Sequence, residues 1–167
     1  MSGDGCGLPA LDAHGRLPEG LHRGTFKDLR VRFVDGAPHA ERRDMLMDAL
    51  EFYAEQVWSL LPTARLWVNG GFVTHKPWAP KDIDVVNVVR AKEIDCLDLS
   101  TLLPLLTHET QDGTRVQPMG GLIDGFHAVR GDADKLLYWQ DWWSTVTDVD
   151  GNAIPGVRKG YVEVVAP

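Results

Sequence analysis

Trp67-Val68-Asn69-Gly70-Gly71-Phe72-Val73-Thr74-His75-Lys76-Pro77-Trp78-Ala79-Pro80-Lys81-Asp82-Ile83-Asp84-Val85-Val86 is the stretch whose reading decides the fold. Arg65–Asn69 reads as a short apolar strand running into Gly70-Gly71, and Ile83–Val89 as a second, β-branched and largely buried strand. Pro77 and Pro80 mark the loop between them. The strand's period of two turns Asp82 and Asp84 to the same side, where their carboxylates can share one ion or bridge two. Adjacent acids repel unless a cation compensates, and a hard divalent ion such as Mg²⁺ does so through carboxylate and phosphate oxygens. The glycines lack side chains, so backbone N–H groups can approach a phosphate chain closely. Singly, a Gly-Gly turn is common and an Asp-x-Asp pair is more often solvated surface. Their order and separation together point to a triphosphate site.

Outward from this stretch, residues 41–61 form the clearest helix. Leu46, Ala49, Leu50, Tyr53, Val57, Leu60 and Leu61 recur at spacings of three and four, and Pro62 stops the run. Thr25 predicts the cap of a short helix whose Phe26, Leu29 and Phe33 share a face. Residues 1–20, with five Gly and two Pro, read as a flexible or wrapping arm, and residues 21–167 as a single domain. Residues 98–106 predict a short helix with Ser100 as a possible cap. Residues 121–129 read as a third core strand, 134–144 as helical or irregular and rich in aromatics, and 161–165 as a last strand. The fold class is therefore α/β (α+β): a small, mixed, twisted sheet covered on one side by helices that include the long one.

Composition narrows the function. The net charge of -7 argues against a protein that coats nucleic acid through a general basic surface, although a local basic site is compatible with it. Cys6 and Cys96 are too few for a disulfide framework or a typical zinc cluster and read as reduced thiols. No segment resembles a secretory signal or a bilayer span, so the expected location is cytoplasmic, with no membrane partner. Thr74, Lys76 and Lys81 flank the acids and can reach phosphate oxygens; an ordinary surface role is the alternative for each. Tyr138-Trp139-Gln140-Asp141-Trp142-Trp143 offers either a stacking platform for a base or, more commonly for such a run, core packing.

The pattern Val68-Asn69-Gly70-Gly71 followed by Asp82-Ile83-Asp84-Val85 resembles the DNA polymerase β-like nucleotidyltransferase superfamily. More narrowly, the chain is similar to small nucleotidyltransferase-like proteins of bacteria and phages. That resemblance extends from Leu17-Pro18-Glu19-Gly20-Leu21-His22 to Lys159-Gly160-Tyr161-Val162-Glu163-Val164. Members commonly carry Ser where this chain has Gly71. The resemblance implies a minimal nucleotidyltransferase fold and a third acid from a later strand, here Asp124; the alternative for Asp124 is a buried carboxylate satisfied by backbone N–H groups. It also implies Mg²⁺ or Mn²⁺ on Asp82, Asp84 and Asp124, a nucleoside triphosphate near Gly70, Gly71, Thr74, Lys76 and Lys81, and transfer of a nucleoside monophosphate to a hydroxyl. The acceptor would be a protein, an RNA such as tRNA, or a small molecule, in a toxin–antitoxin or phage-related role. So short a chain has little room to clasp its substrates, which points to a homodimer or a partner protein. The competing expectation is a catalytically reduced protein of the same fold acting in nucleotide sensing or partner binding.

Overall fold

The strands of the central sheet alternate their side chains between two apolar layers, and that alternation fixes which face each acid occupies. The computed structural model describes residues 5–167, so the first four residues of the expected arm lie outside the described residues. Five strands form the sheet: β1 (Gly20–Arg23), β2 (Arg65–Asn69), β3 (Ile83–Val89), β6 (Ile123–Val129) and β9 (Gly160–Val165), in the order β1-β9-β2-β3-β6. The outer pairs β1/β9 and β3/β6 are parallel, while β9/β2 and β2/β3 are antiparallel. The fold is a mixed α+β architecture.

On one face, Leu66, Val68, Ile83, Val85, Ile123, Val162 and Val164 join the core formed with α1 (Phe26–Phe33) and α2 (Ala40–Leu60). Each fully buried leucine of α2, such as Leu46 and Leu50, is worth about 1.5–3 kcal/mol of apolar burial. On the opposite face, Trp67, Val86, Val88, Ala128 and Tyr161 pack with Trp143 of the last helix, α5 (Ala133–Ser144). Helices thus cover both faces rather than one. The aromatic run divides accordingly: Trp143 is buried and Trp139 stacks near Phe126, whereas Tyr138 and Trp142 are exposed.

Several boundaries follow the sequence closely, and others move for local reasons. Thr25 caps α1 through a full capping box with Asp28. The helix expected over 98–106 is a single turn, α4 (Leu99–Leu102), continued by a 3₁₀ turn at Leu103–Leu105; Asp98, not Ser100, holds its N-cap position. The third core strand begins at Ile123, because Gly121 sits at φ 91° inside the preceding 3₁₀ turn, Pro118–Gly121. Two short hairpins complete the chain: α3 (Ala91–Ile94) and α4 precede β4 (His108–Glu109) with β5 (Arg115–Val116), and β7 (Thr145–Thr147) with β8 (Ala153–Arg158) follows α5. No helix among the described residues is long and apolar enough to cross a membrane.

From residue 5 onward the arm lies against the core, with Leu8 and Leu17 buried. The Asp28 carboxylate fastens it, accepting from the Gly7 N–H at 2.6 Å as well as from the Thr25 N–H and hydroxyl at 2.8 Å each. Asp28→Ala is expected to lose about 1–2 kcal/mol in urea unfolding, the usual cost of a lost cap plus an orphaned amide. Amide exchange at Gly7 should rise in parallel.

Candidate active site

Parallel pairing of β3 with β6 sets Asp84 opposite Asp124, and antiparallel pairing of β2 with β3 sets Asn69 opposite Asp84. Both acids fall on the α5 face. Asp82 stands two residues earlier, just ahead of β3, whose first N–H donates to the Leu122 carbonyl. Asp84 and Asp124 therefore stand side by side on neighbouring strands, and each carboxyl feels the other's charge. Burial, then the charges of Asp82 and Asp124, hold the Asp84 carboxyl well above the usual carboxylate range, with Lys159 opposing. Burial also raises Asp82, although Gln117 Nε2 donates to its Oδ2 at 3.1 Å.

The glycine pair has two distinct roles. Gly70 takes φ 81°, ψ -165°, and a Cβ there would stand 1.9 Å from Asp84 Oδ2. Its missing side chain is what lets Asp84 lie against the turn. Gly71 has room: the nearest neighbour of an added Cβ is Pro80 Cβ at 4.0 Å.

Beside Asp84 opens a cavity of about 210 Å³ walled by Gly70, Lys76, Trp142, Thr147 and Lys159. Lys159 is buried and donates from Nζ to the Gly70 carbonyl at 3.1 Å. Its ammonium is pulled down to about 7 by burial first and then by Lys76, with Asp84 opposing. Lys76 Nζ donates to the Thr147 carbonyl at 3.2 Å and lies 5.3 Å from the centre of the Trp78 ring. Two amines, Lys76 and Lys159, and the Asp84 carboxyl therefore line one cavity. A wider depression of about 650 Å³, bounded by Asp12, His14, Arg32 and His75, includes none of the three acids.

The structure gathers Gly70, Gly71, Lys76 and Asp84 around one cavity, with Asp82 and Asp124 beside Asp84. Thr74 and Lys81 do not line this cavity, although the Lys81 charge acts on Asp82. Thr74 is buried, its hydroxyl donated to the Gly71 carbonyl at 3.0 Å, where it shapes the turn. Lys81 is exposed outside the cavity, its carbonyl held by Arg42. Asp124 is satisfied by side chains rather than by backbone amides: Thr107 Oγ1 donates to Oδ1 at 2.5 Å, and Arg115 donates to both oxygens at 3.0 and 2.9 Å. Sequence reasoning missed Thr107, Arg115 and Gln117 because they sit on short irregular segments with no periodicity. The donor set fits a hard divalent ion, being three carboxylates whose mutual repulsion a cation would relieve. As they stand, no three His, Cys, Asp or Glu side chains among the described residues are arranged to hold one ion between them.

Residues 9–165 match the model of a family described as Family of unknown function (DUF6932). The chain belongs to DUF6932. No curated protein and no solved structure matches it. The matched span of this DUF6932 chain runs from before β1 to the end of β9, so the sheet, the Gly70 turn and all three acids lie inside it.

Proposed function

We propose that the protein is a metal-dependent nucleotidyltransferase that moves a nucleoside monophosphate from a nucleoside triphosphate to an acceptor hydroxyl. The observation that carries this reading is the placement of Asp84 opposite Asp124, next to Asp82, against a turn whose glycine leaves space for the Asp84 carboxylate. Asp82, Asp84 and Asp124 would hold Mg²⁺ or Mn²⁺, which when bound neutralises phosphate charge. Lys76 and Lys159 face the same cavity and balance the anionic triphosphate. The acceptor oxygen forms a bond to the α-phosphorus, the bond to pyrophosphate breaks, and a carboxylate, here assigned to Asp124, takes the hydroxyl proton. Trp142, half-exposed at the cavity rim, supplies a flat surface for the base. A protein, tRNA or small molecule can serve as acceptor in this scheme, in a toxin–antitoxin or phage-related setting.

One observation favours a second reading, a catalytically reduced protein that senses nucleotides: the Arg115 guanidinium already neutralises Asp124. A single experiment separates the two. Each labelled nucleoside triphosphate is incubated with Mg²⁺ or Mn²⁺ and cell extract, with the wild type or with Asp82→Ala/Asp84→Ala. Wild type is expected to label a discrete acceptor and the double variant to fall at least about 100-fold, the scale of losing a catalytic metal site. Equal labelling by both would end the transferase reading.

A further inference from the structure

Residues 107–117 leave the 3₁₀ turn after α4, form the β4/β5 hairpin and return towards β6, and three of their side chains end on the acids. Thr107 Oγ1 and Arg115 donate to Asp124, and Gln117 Nε2 donates to Asp82. The three contacts differ in how easily they can be given up. The Thr107 hydroxyl also accepts the Gly125 N–H at 3.0 Å, and the Thr107 N–H donates to the Gly125 carbonyl at 2.8 Å. That end is anchored to the sheet. Arg115 is different: its side chain is 57% exposed, and it lies on a two-residue strand paired only with β4, itself two residues long. Residues 109–116 are exposed, so little apolar burial holds the hairpin down. A lone two-stranded hairpin of this size is marginal in water.

We propose that this hairpin is a latch on the acidic cluster: Arg115 neutralises Asp124 when no ion is bound and is displaced, with Gln117, when a divalent cation takes the carboxylates. The inference rests on the metal-site reading above. A guanidinium brings one delocalised charge to one of three acids, from a position that water can reach. A divalent ion brings two charges on a small radius to oxygens of all three, so it wins the competition for Asp124. The released hairpin then uncovers the edge of the site beside Asp82 and Asp124. Arg115 is thus a positioning residue of the ion-free cluster.

The test measures Mn²⁺ affinity by calorimetry or paramagnetic resonance for wild type, Arg115→Gln, Gln117→Ala and Arg90→Gln. Arg90 is exposed beyond the far end of β3 and controls for net charge. Arg115→Gln is expected to bind Mn²⁺ about five- to tenfold more tightly, from loss of a competing charge-assisted pair. Gln117→Ala should bind about twofold more tightly and Arg90→Gln within about twofold of wild type. Amide exchange over residues 108–117 of wild type should quicken at least about threefold when Mn²⁺ is added. Arg115→Gln binding no more tightly than Arg90→Gln, or exchange that slows on adding Mn²⁺, overturns the latch while leaving the metal site standing. No Mn²⁺ binding by wild type or Arg115→Gln, or unchanged binding by Asp82→Ala/Asp84→Ala, overturns the metal site and the latch with it. Should Arg115→Gln prove misfolded by circular dichroism, Gln117→Ala and the wild-type exchange decide the matter.

Discussion

Gly70→Ala is expected to abolish the proposed nucleotidyl transfer and to destabilise the protein by about 2–4 kcal/mol, whereas Gly71→Ser next to it is expected to do neither. Two independent effects converge at Gly70. Its φ of 81° with ψ -165° lies in a region open essentially to glycine alone, where a side chain costs about 1–3 kcal/mol. The added Cβ would also stand 1.9 Å from Asp84 Oδ2, so either the carboxylate rotates or the turn lifts from β3. Rotation is opposed by the charges of Asp82 and Asp124 beside it. Lifting the turn would break the bond from Lys159 Nζ to the Gly70 carbonyl. At Gly71 the nearest atom to an added Cβ is 4.0 Å away, so Ser should change stability by no more than about 0.5 kcal/mol. Thermal melts and triphosphate labelling of both variants check the pair of expectations; a Gly70→Ala protein with wild-type melting and labelling refutes the assigned geometry.

The features legible in the sequence were those whose physics is local. β2 and β3 begin and end where the β-branched and apolar runs do, because both are central strands buried on two faces. Asp84 lies within β3, but Asp82 stands just ahead of it, where strand alternation no longer fixes a side chain's direction. β1 escaped notice for the opposite reason: Gly20-Leu21-His22-Arg23 has no strand signature of its own and becomes a strand only by parallel pairing with β9, about 140 residues away in the chain. The β7/β8 hairpin carries Gly156 and a register shift, which blur its alternation.

The site divides along the same line. Gly70 and the aspartates drew attention by their order and spacing and Lys76 by its place in the loop between them, whereas Lys159 reaches Gly70 only through the pairing of β9 with β2. Arg115 had no such signal, since its role depends on a hairpin folding back over β6 to reach Asp124. Thr74 looked like a phosphate contact because of its position after the glycines, yet burial turns its hydroxyl inward to the Gly71 carbonyl. Arg42 and Arg43 were harder still. Cations in the first turn of a helix oppose its dipole, so helix logic gives them no reason to be there. Their reason is tertiary: with His39 they hold the loop that joins the glycine turn to the acids. His39 Nε2 bonds the Pro77 carbonyl at 2.7 Å, Arg42 Nε donates to the Pro80 carbonyl at 3.2 Å, and Arg43 reaches Phe72 and Thr74.

Arg43→Met is therefore expected to be the most destabilising single substitution away from the apolar core, at about 4 kcal/mol or more. Arg43 is fully buried, and its guanidinium donates to four backbone carbonyls: Pro38 at 2.8 Å, Phe33 at 3.1 Å, Phe72 at 2.6 Å and Thr74 at 2.5 Å. Burial pulls its pKa down to about 10, still high enough to keep the charge at neutral pH. Methionine fills much of the volume but leaves these carbonyls without their donors in the interior, at about 1–3 kcal/mol for each that water cannot reach. Lysine keeps the charge, yet a compact ammonium cannot fork between the end of α1 on one side and the glycine turn on the other, so Arg43→Lys should lose about half as much. Urea unfolding measures both, with the midpoint falling in the order wild type, Lys, Met. The coupling to function is specific, because two of the four carbonyls belong to the loop that carries the chain from Gly71 towards Asp82. In the folded Arg43→Lys protein, Mn²⁺ affinity at the acids should therefore fall by about three- to tenfold although Arg43 touches none of them. Unchanged affinity in a destabilised Arg43→Lys protein would mean that the turn holds its shape without this anchor.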